Sequence, residues 1–306
     1  MSGNIEKVCI IGTGKLAFQC AALAKERGTP VTLFDMGQKK SVFLEKQSEA
    51  AGIPFFFQEP GKVFETLERE EKRLLLVSAI NERILPAGVL EKENIRAVNL
   101  HQALLPAHPG RNAEAWAIFE QDEEAGITWH DMVKKVDSGG ILIQKRIPLD
   151  ENMTSYLLFK KQIECAYEAY QEIFDSLMDG SRKGIPQKRE REYKFHYKKD
   201  VPAGGVLDMS WSEEKISAFL RAMDYAGLSV FDRPKLLYEG KTYQWKKYEI
   251  RKEQNAKKRP PCMIITDCDI VIQKGTTRFL LKNYNLMEET NDGKTDEHFK
   301  GIKTGD

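Results

Sequence analysis

Cysteine is scarce and irregular in this 306-residue chain: Cys9, Cys20, Cys165, Cys262 and Cys268 make an odd count, and no two form a CxxC pair. A disulfide framework is thereby excluded, and reduced, mostly buried thiols in a cytoplasmic protein are expected. The Cys262–Cys268 spacing fits no common metal site, so no metal is expected either. An excess of one charge is lacking too. Forty-seven basic residues face 46 acidic ones, a net charge of +1, which exerts no global pull toward nucleic acid. Long apolar runs are also missing. Leu74 to Ile80 falls far short of the roughly 20 residues that span a bilayer. The first residues carry neither a basic stretch nor an apolar one of secretory type, and no internal repeat is present. The apolar fraction, 41%, is ample for a globular core.

What is present begins with alternation. Apolar strands are expected at Lys7–Gly12, Val31–Asp35, Leu74–Ala79 and Ala97–His101, with helices over Lys15–Arg27, Ser41–Ala51 and Lys62–Glu70 between them. Strand and helix in this rhythm predict an α/β fold with a doubly wound, mostly parallel Rossmann-like sheet. Later come a helix at Ala113–Glu120, strands at Gly126–Met132 and Ile141–Ile147, and a long amphipathic helix over Thr154–Met178. Residues 181–199 hold eight Lys or Arg against two Glu, a linker signal. A helix over Ser212–Met223 and several short strands then suggest a small, mostly β domain. The expected organisation is 1–180, a linker over 181–204, a β domain over 205–286 and a polar tail over 287–306.

Two short motifs carry chemistry. In Asn99-Leu100-His101 the i, i+2 spacing puts both polar side chains on one face of a strand. Asp137 lies in Val136-Asp137-Ser138-Gly139-Gly140, between two expected strands. An amide, an imidazole and a carboxylate meeting above a sheet can hold an oxyanion and move a proton. Taken alone, each has a plainer reading: a partly buried His, and a turn Asp before two glycines. A third motif competes. Gly12-Thr13-Gly14 with Ala17, followed by Asp35 at the end of the second strand, fits a loose dinucleotide fingerprint and an NAD-dependent oxidoreductase. The same glycines also suit a tight strand-to-helix turn.

The ordered set of Gly12, Ala51–Pro54, Arg83–Pro86, Asn99–His101 with Leu104–Pro106, Gly126–His130 and Val136–Gly139 with Ile141–Gln144 resembles the folate-dependent formyltransferases. The likeness covers roughly residues 5–285 and extends to the small OB-like C-terminal domain of longer members. It implies a one-carbon transferase using 10-formyltetrahydrofolate, with neither metal nor NAD. Asn99 would hold the oxyanion, His101 would donate or shuttle a proton, and Asp137 would take up the proton lost by the attacking amine. Ile84, Leu85, Val133, Val136 and the loop to Asp137 would hold the pterin. The glycine turn becomes structural. Methionyl-tRNA formyltransferases usually read LPxxRGAAPI after the histidine; here the stretch is Leu105–Trp116, without the basic-glycine pair. This favours a small or carrier-borne amine: hydroxyornithine, an aminoacyl carrier protein or an amino sugar. His108 and Arg111 are candidates for binding it. His130 reads as structural. Methionyl-tRNA is the other acceptor, argued from the basic linker. A non-catalytic tRNA- or partner-binding relative is a third class, opposed by the intact Asn99, His101 and Asp137.

Overall fold

A computed structural model describes residues 4–188, 192–253 and 259–287. Arg189 and Arg191 of the basic linker, and the polar tail from Glu288, lie outside the described residues. The elements are β1 (Lys7–Gly12), α1 (Gly14–Glu26), β2 (Val31–Asp35), α2 (Val42–Ala50), β3 (Phe55–Phe57), α3 (Pro60–Glu68), β4 (Leu74–Ala79), α4 (Ala87–Leu90), β5 (Ile95–His101), α5 (Ala113–Phe119), β6 (Glu124–Asp131), β7 (Ile141–Pro148) and α6 (Ser155–Met178). There follow β8 (Val206–Leu207), α7 (Glu213–Ala222), β9 (Lys235–Tyr238), β10 (Lys241–Gln244), β11 (Lys247–Lys252), β12 (Arg259–Ile265), β13 (Asp269–Gly275), β14 (Thr277–Lys282) and β15 (Asn285–Met287).

The first compact unit comprises the described residues up to 113, 124–148 and the described residues of 159–198. Its sheet runs β3-β2-β1-β4-β5-β6-β7, parallel from β3 to β5 and antiparallel through β6 and β7. Strands β1 and β4 are continuous apolar runs because helices cover both faces of a parallel sheet. One core cluster joins Leu16, Cys20 and Leu23 of α1 to Val8, Ile10, Leu75 and Val77 of the sheet, and to Tyr170, Ile173 and Phe174 of α6. Trp129 anchors α6 from β6: it is fully buried, its indole N–H donates to Ala166 O at 2.9 Å, and its ring lies 5.3 Å from that of Tyr170.

The second unit comprises residues 114–123, 149–158 and the described residues from 199 onward. Its β structure forms two four-stranded sheets, β15-β10-β9-β8 and β11-β14-β13-β12, which is the form taken by the OB-like part of the expectation. Phe119 packs in this unit, 5.8 Å from Trp211 and 6.4 Å from Phe219 between ring centres. The buried Glu114 accepts the Tyr225 hydroxyl at 2.7 Å. The units therefore interleave along the chain, whereas contiguous segments were expected. Residues 181–198, expected as linker, belong to the first unit because Ile185 exchanges two backbone hydrogen bonds with Ile141, at 2.7 and 2.9 Å. Among the described residues no helix is long and apolar enough to cross a membrane.

Candidate active site

The dinucleotide-like motif has a structural explanation. A Cβ on Gly12 would stand 1.8 Å from the Ala79 carbonyl oxygen, so the close approach of β1 and β4 requires glycine there. Asp35 is 1% exposed, and its two oxygens accept backbone N–H groups from Gly37 and Ser41 at 2.9 and 3.0 Å. That carboxylate shapes the turn into α2 rather than facing a ligand.

The other motifs converge. Asn99 and His101 sit at the end of β5, and the antiparallel register places His130 of β6 directly opposite Asn99, and Thr128 opposite His101. Asp137 stands in the loop between β6 and β7 with φ of +52°, a left-handed conformation that Asp tolerates better than most residues. Its Oδ2 lies 3.5 Å from His101 Nδ1, and its Oδ1 lies 3.6 Å from His130 Nε2. Asn99 Nδ2 is 3.2 Å from the same His130 nitrogen. His101, His130 and Asp137 are buried, at 6%, 2% and 6% exposure, while Asn99 is half-buried and forms the open side of the cluster.

Backbone groups assign the protons. His101 Nε2 faces the His108 carbonyl oxygen at 2.9 Å, and His130 Nδ1 faces the Asp131 carbonyl oxygen at 2.9 Å. A carbonyl only accepts, so those two nitrogens carry the protons of the neutral rings. The nitrogens turned toward Asp137 then bear lone pairs, and Asn99 donates to that of His130. Burial, the largest influence on His101, pushes its pKa down; Asp137 and the His108 carbonyl oppose this without cancelling it. Burial alone would push the Asp137 carboxyl up. The positive charge of His101 and an N–H of His130 in their protonated forms, together with the Gly110 N–H, which reaches Oδ2 at 2.9 Å, outweigh burial and bring it down to about 2. The resting cluster is thus a carboxylate flanked by the His101 and His130 imidazoles, with burial holding His101 toward its neutral form.

The surrounding segment is tightly held. Thr128 Oγ1 accepts from Leu105 N at 3.0 Å and donates to Ala103 O at 2.6 Å, while Gln144 Nε2 donates to Leu105 O and Thr128 Oγ1, both at 2.9 Å. The chain after His101 is therefore pinned to β6 and β7. Gly110 is pinned from the other side: His196 N donates to Pro109 O at 2.9 Å and Arg111 N to His196 O at 2.8 Å. With Gly110 at φ +105°, a Cβ would meet the His196 carbonyl oxygen at 2.1 Å.

The remaining expected residues divide. Ile84, Val133 and Val136 are exposed, at 73%, 45% and 38%, and available to a ligand. Leu85 is not: its side chain is 4% exposed and packs in the core with Val63, Leu67 and Val89, so any ligand contact from it falls to its backbone. His108 is 6% exposed, its ring stacked 5.8 Å from that of His196, so its ring is not presented at the surface to a substrate. Arg111 is partly exposed; it donates to Glu82 O at 2.9 Å and lies 3.8 Å from the Glu82 carboxylate. His130, read from sequence as structural, joins the cluster. Its signal was the cross-strand pairing with Asn99, which a linear pattern does not display.

Comparison with known proteins places this geometry. A family model described as formyl transferase matches residues 7–173. GDP-perosamine N-formyltransferase of Brucella melitensis biotype 1 is 36% identical over 169 residues, 55% of this chain and 62% of that protein. Methionyl-tRNA formyltransferase of Desulfotalea psychrophila is 30% identical over 184 residues, 58% of this chain and 55% of that protein. The matches thus span less than two thirds of these curated relatives. The solved structure of the N-formyltransferase from Helicobacter canadensis, in complex with folinic acid and dTDP-3-aminofucose, shares the fold with a TM-score of 0.69 at 14% identity, over 92% of this chain and 100% of that one. Since the model match covers more than half of the chain and contains Asn99, His101, His130 and Asp137, the chain belongs to the formyl transferase family.

Proposed function

We propose that this protein transfers a formyl group from 10-formyltetrahydrofolate to a primary amine on a nucleotide-linked amino sugar. The observation that carries the reading is the convergence of Asp137, His101 and His130 with the Asn99 amide on its open side. The folate, when bound, supplies the formyl group. The fit is reasonable on the chain's side: Val133 and Val136 expose aliphatic surface on the loop that ends at Asp137, and Ile84 does so elsewhere, which suits a flat heterocycle.

A bond forms between the amine nitrogen and the formyl carbon, and the bond from that carbon to the folate N10 breaks. Asn99 has one amide N–H on His130 and a second with which to hold negative charge developing on the formyl oxygen. Such a donor contributes roughly 2.7–4 kcal/mol to lowering the barrier. The proton lost by the amine enters the cluster, where an imidazole can take it and become the cation of an ion pair with Asp137. His101, reached through a shift of its Nε2 proton away from the His108 carbonyl, returns a proton to N10.

An amino-sugar acceptor is supported by the GDP-perosamine N-formyltransferase relative and by the sugar nucleotide named with the Helicobacter structure. Methionyl-tRNA is the other acceptor among relatives. The test offers formyl donor with GDP- or dTDP-linked amino sugars, hydroxyornithine and charged initiator tRNA, each product read by mass. Formylation of a sugar nucleotide is expected. Preferential formylation of the tRNA, lost steeply with salt as phosphate contacts demand and weakened when Lys188, Arg189 and Arg191 become Gln, would overturn the choice of acceptor.

A further inference from the structure

We propose that Gln187 is a positioning residue for the Asp137 carboxylate, so that the segment after α6 forms part of the working site; this rests on the formyl-transfer reading above. The Gln187 side-chain nitrogen donates to the Asp137 carbonyl and to the Gly139 carbonyl, each at 2.9 Å. One amide group thus clips the turn on both sides of Ser138 using both of its N–H bonds. Its oxygen is buried and has no hydrogen-bond partner among the described residues. A side chain that leaves its acceptor unmatched while both donors are matched is placed by the donors.

The clip reaches the loop through a close backbone contact. A Cβ on Gly140 would lie 2.8 Å from the Gly184 carbonyl carbon, and one on Gly184 would lie 2.3 Å from Asp131 Oδ2. The two glycines let the chains run against each other, and the Ile141–Ile185 pair of backbone bonds fixes their register. Gln187 follows two residues later, level with the turn.

The turn needs such a clip. Asp137 holds a positive φ, which few non-glycine residues adopt unless the surroundings impose it. Its carboxylate must face His101 and His130 at once and accept from Gly110 N. Gly110 fixes the carboxylate end; Gln187 fixes the backbone end. Without the second hold, the backbone is free to relax and rotate the carboxylate away from one imidazole. The titratable groups facing Asp137 are His101 and His130, and Gln187→Met adds no charge, so a change in Asp137 titration in that variant reports geometry.

Two variants separate the proposal from a general loss of folding. Gln187→Met keeps length and removes both donors. Gln187→Glu keeps the shape and sets acceptors against two carbonyls. Both are expected to melt below wild type, as two carbonyls lose their donor, yet to stay folded at assay temperature, while kcat per folded enzyme falls between about tenfold and about a hundredfold, the scale of a misplacement near 1 Å, with KM for the amine little changed. A second readout needs no substrate. In carbon-13 carboxyl NMR, with the Asp137 resonance identified by its loss in Asp137→Asn, wild type should titrate near 2 and Gln187→Met closer to an ordinary carboxyl. An unmoved titration would overturn the positioning role whatever the enzyme's substrate. A moved titration alongside wild-type protein that formylates no amine would preserve the role and overturn the proposed activity.

Discussion

Replacing Asp137 by Asn tests the electrostatics most sharply, because the substitution changes charge and little else. The new amide can keep Gly110 N–H on its oxygen and turn its nitrogen toward an imidazole lone pair, so the fold should survive. In wild type the carboxyl goes from 3.8 to about 2. At 1.36 kcal/mol per pH unit that depression is worth about 2.5 kcal/mol of stability. A depressed carboxyl stabilises the fold above its unfolded pKa, and the contribution is lost as pH falls through the folded one. The window is therefore from about pH 4 down to about pH 2. Urea unfolding of wild type and variant in parallel isolates the effect, since every other group titrates in both. The wild-type advantage should shrink by about 2.5 kcal/mol across that window, whatever its size at neutral pH. Turnover at neutral pH should fall by about 10²–10⁴-fold for loss of the anion that stabilises the protonated imidazole. A stability difference that stays constant from pH 5 to pH 2, or turnover near wild type, would refute the reasoning.

Other outcomes follow from the same geometry. Gly110→Ala should cost about 1–3 kcal/mol in a thermal or urea melt, through the clash with His196 and the positive φ, and reduce kcat by more than the folded fraction explains, because the N–H to Asp137 moves. His130→Gln should lower kcat by about tenfold or more with the fold intact, as Asn99 loses its fixed acceptor; unchanged kcat would return His130 to a structural role. Asp35→Ala should lower the melting temperature, since two backbone N–H groups lose their acceptor, yet leave the kcat of folded enzyme alone; saturable NADH binding abolished by this change would contradict the structural reading.

Much of this was legible because it is local. The alternation of strand and helix through β5 follows from hydrophobic period, and the i, i+2 placement of Asn99 and His101 follows from the strand pleat. Asp137 was legible as a polar residue in a glycine-bearing loop, joined to them by family likeness. His130 was not, because its role comes from antiparallel register: β6 sets it opposite Asn99, a pairing no single segment encodes. Gln187 and His196 were hidden in a stretch whose basic composition reads as linker. Their place is set by isolated backbone pairings to Ile141 and Gly110, over long separations and without periodicity. Leu85 misled for the opposite reason: it adjoins the exposed Ile84 but faces the core. The interleaving of the units was likewise invisible, since Glu114 and Phe119 find their partners in Tyr225, Trp211 and Phe219, about a hundred residues on.

The central claim is that a carbon–nitrogen bond forms at this cluster. The direct measurement supplies 10-formyltetrahydrofolate labelled with carbon-13 in the formyl group and a nucleotide amino sugar labelled with nitrogen-15 at the amine. Wild-type protein should yield a product in which the labelled carbon is coupled to the labelled nitrogen, and Asp137→Asn should yield almost none over the same time. A labelled formyl group that stays on the folate or appears only as free formate, with every amine offered, would contradict the account.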